Sequence, residues 1–231
     1  MANVTTTPWW VRQIQCEYLI IKRQKQSLVQ SLLFFLMFVA FFPLAIPYDP
    51  AILRTICPGV VWMSATLAVF LSAERFYQQD IEHGCLEQWL VQKRPLTVYV
   101  GIKLMIHGLL HLTAMLLMSP LIGLMFQLSI WEWQTLIASL ISGMPALVAM
   151  CGLVSAFGSY GQGRSLVMIL ILLPLILPVI MLGSSSIAAA MQGLPVAGFL
   201  AFLLALSLVM LLILPYATAS ILKICLQQGG L

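Results

Sequence analysis

Six long apolar runs constrain this chain more than anything else in it. They lie at 28–46, 56–73, 98–118, 133–157, 166–182 and 196–214, and Lys103 is the one Lys, Arg, Asp or Glu among them. A helix rises about 1.5 Å per residue and the hydrocarbon core of a bilayer is about 30 Å thick, so about 20 apolar residues cross it. Backbone N–H and C=O groups have no water to bond there, which leaves helices and closed barrels as the spanning forms. These runs are too long for barrel strands and lack their period-2 alternation. The expected fold class is an all-α integral membrane protein with six transmembrane helices. The first is expected to end at Pro43 and Pro47, the second to open at Pro58 and Gly59, and the third to extend through Pro120 to residue 126. With 61% hydrophobic and 8% charged residues in a total of 231, little chain remains for a soluble catalytic domain.

Lys and Arg in the connections set orientation, because they are retained on the cytoplasmic side. Arg12, Lys22, Arg23, Lys25, Arg75, Lys93, Arg94, Arg164 and Lys223 fall on one side of the six runs and Arg54 on the other. Both termini are therefore expected in the cytoplasm. The net charge of +4 follows from this topology and from anionic headgroups, with no call for nucleic acid. Residues 1–27 read as an interfacial helix rather than a cleaved leader. Trp10, Ile14, Tyr18 and Ile21 recur at helical spacing with basic residues elsewhere around the wheel. The chain thus divides into an interfacial segment at 1–27, a six-helix transmembrane bundle at 28–222 and a short tail at 223–231.

Chemistry-bearing motifs are sparse. The five cysteines form no C-x-x-C and no zinc spacing with histidine, so a metal site is not expected. No G-x-x-x-x-G-K-[ST] phosphate loop occurs, and GQGRS at 161–165 reads as a tight turn anchored by Arg164, so the chain is not expected to hydrolyse ATP. H-E-x-x-H, G-x-S-x-G and paired intramembrane carboxylates are also missing, which argues against an intramembrane enzyme. Within the third run, Lys103, His107 and His111 stand at i, i+4 and i+8 and form one stripe. Lys103 is near enough to the inner face to snorkel, while His107 and His111 go deeper. They suit either a polar path through the protein or neutral imidazoles bonded across a helix interface. Pro174 and Pro178 are expected to kink or break the fifth helix. WEWQ at 131–134 reads as an outer aromatic belt with Glu132 solvated or neutral.

The stretch 73–95, AERFYQQDIEHGCLEQWLVQKRP, holds seven of the eighteen acidic and basic side chains. Ile81, Cys85, Leu86, Trp89 and Leu90 are expected on one side of a short helix, with Glu82, Glu87 and Lys93 elsewhere, a bend at Gly84 and a stop at Pro95. The run IEHGCLEQWLVQKRP resembles the E-x-G-x-L-E-Q-L-L-x-x-P pattern that follows the second span in membrane subunits of ABC exporters of the six-helix class. Glu82, Gly84, Leu86, Glu87, Gln88, Leu90 and Pro95 match, while Trp89 replaces a usual Leu and Cys85 a usual Thr or Ser. The resemblance implies that residues 74–95 hold a cytoplasmic coupling helix that docks on an ATP-binding subunit, with Trp89 among the docking residues.

Further matches run along the chain: FFPLAI at 41–46, PGVVW at 58–62, Lys103 and His107 as K-x-x-x-H, SPL at 119–121, LPLILP at 173–178 and PYATA at 215–219. Together with the coupling run they resemble the heme exporter protein B family, the membrane subunit of the bacterial cytochrome c maturation system. The resemblance implies an inner-membrane protein that works with a separate ABC ATPase, with a heme-handling membrane protein, with a small single-span subunit and with a second copy of itself. ATP is then used by the partner, heme is the substrate rather than a covalently held cofactor, and His107 is the first candidate for a heme contact. Two mechanisms stay open: translocation of heme, or ATP-driven release of a heme-loaded chaperone by a force-transmitting subunit.

Overall fold

The computed structural model describes residues 13, 25–45, 50–73, 76–82, 84–92, 94–158 and 164–228. The expected interfacial helix at 1–27 falls almost wholly outside these residues, as does the turn at 161–163. The described chain forms eight helices and, among the described residues, no strand. They are α1 Lys25–Ala45, α2 Pro50–Ala73, α3 Gln78–Glu82, α4 Cys85–Val91, α5 Leu96–Met125, α6 Ile130–Gly158, α7 Arg164–Met191 and α8 Ala197–Gln228. Five of them, α2 and α5 to α8, are long and apolar enough to cross a membrane. The sixth, α1, has 21 residues, about 31 Å at 1.5 Å each, with its apolar part at Leu32–Ala45. The protein is a multi-pass, all-helical membrane protein.

Proline marks the ends of these helices less well than the sequence reading expected. The second helix opens at Pro50 rather than at Pro58, which sits inside it. At the first helical position a proline's missing N–H costs nothing, since that group has no intrahelical partner anyway. α7 runs unbroken through Pro174 and Pro178 and ends at Met191, and α8 passes Pro215 to reach Gln228. In a packed bundle within lipid, neighbouring helices and local adjustment compensate for the lost donor, so a proline that would stop a helix in water is carried inside one here.

The core is built around α6. In its most apolar stretch 78% of residues are buried, against 22% for α5 and for α8, and it packs against α2, α5, α7 and α8. The run from Ala146 to Ala156 is buried throughout. Small residues allow this close approach, as expected where lipid supplies no hydrophobic drive between helices. Trp62 of α2 shows the limit of that packing. Its fully buried indole lies so close to Gly143 of α6 and Gly183 of α7 that a side-chain carbon at either glycine would overlap the ring.

Candidate functional site: a polar segment seated on α5

The connection from α2 to α5 is not a loose loop. Phe76 and Tyr77 make a turn, α3 follows, and Gly84 at φ +68° turns the chain into α4. That left-handed backbone costs an L-residue about 1–2 kcal/mol and a glycine very little, which is why the expected bend falls at Gly84. Because Gly84 resets the backbone, helical phase does not carry over from α3 to α4. Leu86 and Trp89 are buried and Ile81 is half-buried, as expected, but Cys85 is exposed instead of sharing that face. Glu87 and Gln88 are exposed, and Val91 is 82% exposed. Glu82 closes α3 and Leu90 lies in the last turn of α4. Pro95 stands at the N-cap of α5, so the proline opens the next helix as well as following the last.

The buried side of the segment rests on α5. Asp80, 5% exposed, accepts a hydrogen bond from the Tyr99 hydroxyl at 2.6 Å and another, charge-assisted, from the Lys103 ammonium. Lys103 is 3% exposed, so it does not snorkel to water. Its charge is matched inside the protein by a carboxylate that the sequence reading did not single out. The ammonium lies 5.6 to 5.8 Å from the ring centroids of Phe76, Tyr77 and Tyr99, within reach of cation–π attraction. Phe76 also packs against His107, the rings tilted by 53° with centroids 4.3 Å apart, and Trp89 against Tyr99, tilted by 57° at 5.4 Å. The Trp89 indole N–H donates to the Pro95 carbonyl at 3.3 Å, and Arg94 lies over its ring at 5.3 Å. One further tie reaches α6, where the Tyr77 backbone N–H donates to Ser155 Oγ at 3.4 Å.

Tyr99, Lys103 and His107 therefore form the seat of this segment, spaced i, i+4 and i+8 on one face of α5. The expected stripe of Lys103, His107 and His111 is real as a stripe, but its first two members are covered by Phe76, Tyr77 and Asp80. His111 lies deeper and is buried. Its Nδ1 donates to the His107 carbonyl at 3.0 Å, which leaves Nε2 as the acceptor, without a hydrogen-bond partner among the described residues. Among the described residues no cluster of three or more His, Cys, Asp or Glu could hold a metal ion.

The other end of the bundle carries a second buried carboxylate. Glu132, expected to be solvated or neutral, is 5% exposed and pairs with Arg54 Nη2 at 2.6 Å. Arg54 Nη1 also donates to the Gln127 carbonyl at 3.0 Å. Glu132 accepts the Ser129 backbone N–H at 2.8 Å while its own N–H donates to Ser129 Oγ at 3.3 Å, a reciprocal cap at the start of α6. The S-x-x-E spacing at 129–132 was the signal that could have found it. Of the expected aromatic belt, Trp131 is 54% exposed, whereas Trp133 is half-buried and donates to Ser119 Oγ at 3.2 Å.

Comparison with known proteins matches the chain to the CcmB protein family over residues 10–225. Heme exporter protein B of Pseudomonas aeruginosa is 39% identical over 210 residues, covering 90% of this chain and 94% of that relative. The protein of the same name from Haemophilus influenzae is 33% identical over 216 residues, covering 93% and 97%. That from Escherichia coli K12 is 33% identical over 220 residues, covering 94% and 98%. Similarity on this scale reaches both ends of the bundle and the segment between α2 and α5, and it places the chain in the CcmB family.

Proposed function

We propose that this chain is the membrane permease subunit of a complex that exports or delivers heme for c-type cytochrome maturation, powered by a separate ATP-binding subunit. The observation that carries the reading is the match to heme exporter B proteins along nearly the whole chain. The protein is read as an inner-membrane subunit with both termini and the α3–α4 segment in the cytoplasm, on the strength of the Lys and Arg bias. In that orientation α4 presents Glu87, Gln88 and Val91 outward, while Leu86 and Trp89 hold it to the bundle. An ATPase subunit docks on the outward edge, and two copies of each chain make the working unit. A heme-handling membrane protein and a small single-span subunit complete the assembly. This chain supplies no catalytic residue.

The test is genetic and biochemical. Deletion of the chain abolishes covalent heme in c-type cytochromes, and the wild-type chain restores it and copurifies with a cytoplasmic ATPase. Normal cytochrome c content in the deletion strain would remove the proposal. A second reading, in which the chain transmits force to release a heme-loaded chaperone and moves no heme itself, is favoured by one observation. Lys103 and His107, the candidate polar path, are occupied by contacts to the segment. Vesicles holding only this chain and its ATPase separate the two: ATP-dependent heme passage supports translocation, and its absence beside intact ATPase activity supports force transmission.

A further inference from the structure

We propose that Asp80, Lys103 and Tyr99 form the mechanical link that carries displacement of the α3–α4 segment into α5, and that α4 and the first half of α5 move as one body. The inference rests on the proposed role as an ATP-driven permease and names the residues that transmit the work.

A short cytoplasmic helix can pass a push onward only if it is tied to a spanning helix more firmly than by the chain itself. α3 has five residues and α4 seven, joined at a positive-φ glycine. Neither is long enough to be stiff alone, and isolated helices of this length are marginal in water. The chain path also offers little rigidity, because residues 92, 94 and 95 between α4 and α5 lie outside regular helix. Rigidity therefore has to come from contacts across the segment. Those contacts converge on Tyr99, Lys103 and His107. Asp80 receives both polar bonds from α5, and the rings of Phe76, Tyr77 and Tyr99 surround the ammonium. With Asp80 and Lys103 at 5% and 3% exposure, water does not compete for the pair, and separating α3 from α5 would break an enclosed ion pair. A push on α4 thus moves α5 more readily than it parts the seam. Docking and transmission fall on different residues: Glu87 and Gln88 face outward, and Asp80 faces the bundle.

The experiment uses the complete complex in lipid nanodiscs or vesicles, with Asp80→Asn, Lys103→Arg and Tyr99→Phe variants of this chain. Three quantities are read: ATPase subunit retained, ATP hydrolysed, and heme delivered per ATP. Asp80→Asn is expected to keep the ATPase subunit and its hydrolysis while lowering heme delivered per ATP about tenfold. Lys103→Arg, which keeps the charge, is expected to stay close to wild type. Spin labels at Gln88 on α4 and at Met105, exposed in the first half of α5, give the direct readout. Their separation stays constant through the nucleotide cycle in the wild-type chain and changes with nucleotide in Asp80→Asn. A wild-type delivery ratio in Asp80→Asn, or a Gln88–Met105 separation that already changes with nucleotide in the wild type, overturns the link. Where Asp80→Asn does not accumulate in the membrane, Tyr99→Phe removes a single donor and is expected to lower the ratio about threefold. A Tyr99→Phe chain equal to wild type then overturns it. Failure of the wild-type chain to copurify with an ATPase would instead sink the permease reading itself, a separate outcome.

Discussion

The two ends of the bundle each hold a buried carboxylate paired with a base, yet the pairs are built differently. At the α3–α4 end, Asp80 and Lys103 are both enclosed, with side chains 7% and 4% exposed and aromatic rings around the ammonium. At the opposite end Glu132 is enclosed but its partner Arg54 is 40% exposed, and Glu132 keeps a backbone N–H from Ser129 whatever Arg54 does. The first pair joins a short segment between two long apolar helices to the second of them; the second joins the start of α2 to the start of α6 and the turn before it. Equal chemistry on paper thus has unequal physical weight. Where both charges are dry, losing one removes an ion pair that water cannot replace, and where one is wet, water takes up the difference.

The sharpest way to break this comparison is to remove one charge from the enclosed pair. Asp80→Ala is expected to destabilise the detergent-solubilised protein by about 3–5 kcal/mol, since it takes the paired carboxylate from the buried Lys103 ammonium. Thermal unfolding followed by circular dichroism checks it, and a cost near that of an exposed ion pair would erase the distinction between the ends. Gly84→Ala should cost about 1–2 kcal/mol, because alanine resists the +68° φ that separates α3 from α4. An unchanged unfolding midpoint there would mean the segment tolerates another turn.

Arg54→Ala is expected to cost about 1 kcal/mol or less, as befits a pair open to solvent on one side. Its contribution should also shrink with salt, since the screening length falls from about 10 Å at 0.1 M to about 3 Å at 1 M, whereas the Asp80→Ala cost should hold. Equal salt sensitivity at both ends would show that the Asp80 site is wetter than its burial implies. The smallest effect on stability is expected at Glu87, where reversal to Lys stays within about 0.5 kcal/mol. The same change is expected to weaken copurification with the proposed ATPase subunit or to uncouple hydrolysis. A wild-type outcome in both assays would move the docking surface away from α4.

Much of the α3–α4 end was legible in advance. The charge density of 73–95, the apolar spacing of Leu86 and Trp89, and the glycine at 84 each report a local property, and local properties are what a linear pattern encodes. Asp80 was not legible in the same way, because its partners Tyr99 and Lys103 lie 19 and 23 residues away and no periodicity joins them. A signal existed all the same: a lysine inside a span calls for an acid, and Asp80 lies in the preceding connection. Glu132 was misread for a related reason, since its cation sits 78 residues earlier on α2. Cys85 was misplaced because a wheel drawn through Gly84 assumes a continuity that a positive φ destroys.

Apolar length and charge placement determined, without any structure, that this chain lives in a bilayer as a helical bundle with a polar segment after the second span. Hydrocarbon permits few alternatives to a helix whose backbone bonds are all internal, so composition alone goes far. Which helix stands at the centre, where Trp62 fits against Gly143 and Gly183, and which buried acid answers Lys103 were decided only in three dimensions. Those choices depend on the shapes and charges that distant segments present to one another, and a bundle whose helices are apolar on nearly every face writes little of that into its order of residues.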